Sequence, residues 1–84
     1  MLQEIYAASN LFLRVTGEMI EQLEPKEAAG ILGRIQSLEK ATLSAYKRKN
    51  LKQLQALSLQ IYELGESVKD LLRLEKLDIF RPRR

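Results

Sequence analysis

Two kinds of side chain in this sequence could do chemistry: carboxylates sharing a helix face, and clusters of cations. Glu39, Glu63 and Glu66 could line one surface of a helical assembly, and Arg14, Arg34 and Lys40 could approach one another across it. A proton shuttle is harder to find. The chain has no His, no Cys and no Trp, which removes imidazole and thiolate metal sites, Cys–His nucleophile pairs and the commonest general base. The carboxylates lack the Glu-to-His spacing that marks di-metal centres in helical bundles. Ser37, Ser44, Ser58 and Ser67 have no base to activate them. Arg34 stands about 100° around its helix from Ile35 and Arg14 falls outside the apolar stripe of its segment, so both read as solvent-facing. The expectation is no enzyme, no cofactor and no metal.

Phosphate recognition is the chemistry the cations favour. The 14 basic and 11 acidic residues give a net charge of +3, but the two halves differ. Residues 1–39 carry three basic and six acidic side chains, whereas residues 40–84 carry eleven basic and five acidic. The positive excess gathers in Lys47, Arg48, Lys49 and Lys52, and again in Arg81, Arg83 and Arg84. These seven are the candidate phosphate-binding residues, and a small basic nucleic-acid-associated protein is the alternative function they suggest.

The elements that must position these groups follow from the spacing of apolar residues. The sequence is 45% hydrophobic and 30% charged, a balance suited to amphipathic helices. Ile5, Ala8, Phe12, Val15 and Met19 alternate steps of three and four, with Leu2, Leu11 and Leu23 widening the stripe, which predicts a first helix over about 2–23. Pro25 disfavours a helical Glu24 and suits a first helical position, so a second helix is predicted over 25–48. A single helix kinked at Pro25 is the competing reading. Ala28, Ile31, Ile35, Leu38, Thr42 and Ala45 form the second stripe, with Leu32, Leu43 and Tyr46 beside it. Asn50 followed by Gln53 reads as a helix start, and Leu54, Leu57, Ile61, Leu64, Val68 and Leu71 carry a third helix over 51–77.

Joints this short make neighbouring helices antiparallel. The expected fold is therefore all-α, an up-down-up three-helix bundle with coiled-coil-like packing, forming one domain over 1–80 with a basic tail at 81–84. No apolar run is long enough to span a bilayer, and a cytoplasmic protein is expected. Tyr6, Tyr46 and Tyr62 border the stripes, where rings bury and hydroxyls stay wet.

Partner binding is the function these features predict. The third helix should outreach the other two and leave Leu72, Leu74, Leu77, Ile79 and Phe80 with more apolar surface than one stripe can hide. A fold-back of residues 78–80 over the bundle end is the competing reading. Gly30 and Gly33, beside Ala29, make a small-residue patch that would let another backbone approach, whether inside the bundle or from a partner helix. The up-down-up path would also bring the Arg81–Arg84 tail near Glu21, Glu24 and Glu27, so that the two basic clusters lie at opposite ends. That separation disfavours a continuous nucleic-acid groove. The expected function is a small helical protein–protein interaction module: an adaptor, assembly factor or secretion-chaperone-like protein, possessing either a protein partner or a homo-oligomeric state. In outline, a short helical chain with apolar edge to spare, it is similar to bacterial export chaperones; no motif assigns a family.

Overall fold

The computed structural model describes the backbone of residues 1–80 and the side chains of residues 1–74. Three α-helices, α1 (Leu2–Met19), α2 (Pro25–Lys47) and α3 (Leu51–Phe80), account for nearly all of it. Each helix packs on both others, giving the all-α three-helix bundle, and no strand occurs among the described residues.

Local chemistry explains both joints. At the first, α1 tightens into one 3-10 turn over Ile20–Gln22, closed by the Leu23 amide donating to Ile20 O at 3.0 Å. Leu23 and Glu24 are then extended, with ψ of 165° and 146°. Proline crowds the helical region of the residue before it, which is why the chain leaves the helix here and restarts with Pro25 at the first position of α2. Pro25 therefore separates two helices and does not kink one.

At the second joint, α2 closes in a Schellman motif. The Asn50 amide donates to Ala45 O and the Lys49 amide to Tyr46 O, both at 3.0 Å, with Lys49 left-handed at φ 57°. Asn50 then starts α3, its Oδ1 accepting from the Gln53 amide at 3.1 Å. One residue thus finishes α2 and caps α3, so no linker is needed between them.

The α2 and α3 stripes bury as their spacing predicts. Ile35, Leu38, Thr42 and Ala45 on α2 face Leu54, Leu57, Ile61, Leu64 and Val68 on α3, all buried. Helix α1 departs from its predicted stripe. Its buried residues are Ser9, Leu13 and Thr16, continued by Ile20 and Leu23, while Ala8, Leu11, Phe12 and Val15 are exposed. The inward face is rotated by roughly 100°, one residue, from the stripe read off the sequence. The physical cause is volume. Ser9 and Thr16 are small, and Thr16 stands against Gly65 of α3, whose added Cβ would lie only 3.3 Å from Thr16 Oγ1. The helices approach across that gap, leaving no room there for a ring such as Phe12.

With 30 residues against 18, α3 runs about 45 Å to α1's roughly 27 Å, and the molecule's long dimension is 56 Å. The helix continues through residues 78–80, so the backbone does not fold back over the bundle end.

Candidate partner-binding groove

The rotation of α1 leaves an apolar groove between α1 and α3. Leu11, Phe12, Val15 and Met19 of α1 line a groove of about 210 Å³ with Ile61, Tyr62 and Gly65 of α3, and Glu66 and Lys69 close its rim. Phe12 and Tyr62 meet edge to face, with centroids 6.4 Å apart and planes at 75°. Both rings stay close to half exposed, at 44% and 52%. Gly65 keeps the floor open because it places no side chain between the helices.

The rim is polar and internally tied. Tyr62 donates its hydroxyl to Glu66 Oε1 at 3.3 Å, and Lys69 Nζ lies 3.3 Å from Glu66 Oε2. Both links join residues of α3 three or four apart, where helix geometry brings side chains together. Exposed pairs of this kind contribute only about 0–1 kcal/mol, so they orient the rim more than they stabilise the fold. An apolar floor with a charged edge is suited to receiving the apolar face of an amphipathic helix.

The residues singled out from sequence fall elsewhere. Leu72 is partly buried against the core and offers only part of its surface, whereas Leu74 is 58% exposed. Leu77, Ile79 and Phe80 fall where only the backbone is described, and Arg81, Arg83 and Arg84 lie outside the described residues. Gly30 and Gly33 are exposed on α2, and nothing lies within 4 Å of a Cβ added at either, so the reading that they pack tightly inside the bundle is corrected. They border a shallow depression with Ser37, Leu38 and Gln60.

The basic cluster sits at the α2–α3 joint, beside the first turn of α1: Lys47 and Lys49 share a surface with Leu2, Gln3 and Tyr46. All four of its cations are exposed. Arg48 is also engaged in the joint, with Nη2 donating to Gln53 Oε1 at 2.7 Å. Tyr46 stacks on Tyr6 at 4.1 Å and closes this end of the core.

The polar groups considered for catalysis are dispersed. Arg14 borders the α1–α2 surface with Glu18, Glu21 and Glu39, Arg34 lies beside Gly30 and Gly33, and Glu66 sits on the α1–α3 rim. Among the described residues no three acidic side chains are placed to share a metal ion.

Sequence reading missed the groove because it assigned Ala8, Phe12, Val15 and Met19 to the core. A signal was present. Leu2, Leu13 and Ile20 define a second apolar stripe one residue away, and two adjacent stripes are more than one core face requires. The chain matches no protein-family model, no curated protein and no solved structure. No helix among the described residues is long and apolar enough to cross a membrane.

Proposed function

We propose that the protein is a small cytoplasmic interaction module, an adaptor, assembly factor or export-chaperone-like protein, that acts by binding and not by catalysis. The observation that carries this reading is the uncovered α1 stripe. A helix that leaves Leu11, Phe12 and Val15 each more than two-fifths exposed along one side of a half-formed groove has its apolar surface arranged for a fourth helix. Covering the part of each side chain still exposed contributes about 1 kcal/mol, reduced by the entropy of association and side-chain ordering.

A photo-crosslinking residue placed at Leu11 tests the proposal, with the same residue at exposed Ser37 as the control. In the native cell, the Leu11 position is expected to capture a discrete protein that the Ser37 position does not. Identical capture from both positions refutes the groove as the binding surface.

Phosphate binding is the second reading, supported by four exposed cations at one joint. A polyanion held there would lose affinity steeply as salt rises, through counterion release. An apolar helix contact would weaken little or tighten.

A further inference from the structure

The outer side of α3 is complementary in charge to its own reverse. Helical spacing aligns Leu59, Tyr62, Glu66, Lys69 and Arg73 along one outer strip whose Tyr62, Glu66 and Lys69 border the groove, with Asp70 beside Lys69 and positions 77 and 80 continuing the line. Leu59 and Tyr62 are 59% and 52% exposed, and Lys69, Asp70 and Arg73 are exposed too. The order is apolar, acidic, a Lys–Asp centre, basic, apolar.

We infer that the groove face takes a second copy of this chain, with the two α3 helices packed antiparallel about a twofold axis between residues 69 and 70. In that register Glu66 stands opposite Arg73 of the other copy, and Lys69 opposite its Asp70. Leu59 and Tyr62 meet the positions of Phe80 and Leu77. Each pairing is acid to base or apolar to apolar, and the symmetry makes each occur twice. A parallel in-register pair would instead set Glu66 against Glu66 and Lys69 against Lys69, juxtaposing like charges.

The same register accounts for two surpluses at once. Tyr62 lies beside Phe12, so the far end of the second copy's α3 arrives where Leu11 and Phe12 are uncovered. That end is the part of α3 that outreaches α1 and α2, from exposed Leu74 onward, and it carries Leu77, Ile79 and Phe80 in its sequence. An α3 cut to the length of α1 would leave both surfaces unmatched.

This inference rests on the groove reading above, and a charge exchange on the rim tests it separately. Wild type is expected to sediment as a dimer at micromolar concentrations. Glu66→Arg and Arg73→Glu each turn two attractions into two repulsions and should each weaken the dimer by about 10–30-fold. Circular dichroism should show unchanged helicity, because both side chains are exposed or partly so. Mixing the two single variants restores acid opposite base in both pairs and should recover dimers of near wild-type affinity. A monomeric wild type, a dimer indifferent to both substitutions, or a mixture no tighter than its components would each overturn the antiparallel pairing. A monomer that still captures a different protein through Leu11 overturns this inference alone and leaves the interaction-module reading in place.

Discussion

Thr16 Oγ1 lies 3.3 Å from the point a β-carbon would occupy on Gly65, so α1 and α3 approach across a residue without a side chain. The hydroxyl is satisfied locally, donating to Phe12 O at 2.8 Å, so the close approach leaves no buried donor unpaired there. Because Ser9 and Thr16 share the inward face of α1 with Leu13, the neighbouring stripe of Leu11, Phe12 and Val15 turns outward. The groove is the consequence.

Gly30, Gly33 and Gly65 should therefore respond differently to substitution. Gly30→Ala and Gly33→Ala meet open space and should each raise stability by about 0.5–1 kcal/mol, the helix-propensity gain. Gly65→Ala gains the same propensity against a tight contact and should gain less. Gly65→Leu should lose roughly 1–3 kcal/mol by forcing the helices apart. Urea unfolding of the four variants measures the series, and equal effects at Gly33 and Gly65 would contradict the close approach.

Two neighbouring residues of α1 separate the observed core from the stripe read off the sequence. Leu13 is 3% exposed, so Leu13→Ala should cost about 2–4 kcal/mol. Val15→Ser, at a residue 42% exposed, should cost less than about 1 kcal/mol. The reverse order would put the predicted stripe back in the core.

Thr42 is fully buried and its hydroxyl has no hydrogen-bond partner among the described residues, as is also true of Ser9. Thr42→Val removes the unpaired hydroxyl and keeps the shape. It should raise stability by about 1 kcal/mol. For a chain of this size that is an increase in Tm of about 4–8 °C, measurable by thermal melting. A loss of stability would mean that the hydroxyl is satisfied in solution.

The α2–α3 joint has a strained residue and a cap, and they should answer with opposite signs. Lys49 occupies the left-handed region at φ 57°, where glycine has no steric penalty, so Lys49→Gly should stabilise by about 0.5–1 kcal/mol. Asn50→Ala removes the acceptor for the Gln53 amide and should destabilise by about 1 kcal/mol. Denaturant midpoints read both, and a destabilised Lys49→Gly would argue against the Schellman turn.

What the sequence alone determined was whatever depends on neighbours in the chain. Pro25 set the first joint through its effect on Glu24, Asn50 set the second through its cap, and the spacing from Leu54 to Val68 set α3, because each acts within about one helical turn. The stripes of α2 and α3 were legible for the same reason, each having one unbroken three-four run of apolar residues that outweighs the scattered ones beside it. Helix α1 has two apolar stripes one residue apart, and nothing local ranks them. Only packing decided between them: the space opposite Gly65 admits Thr16 and excludes Phe12, a comparison of volumes between residues far apart in the chain. The candidate groove is the stripe that lost that competition.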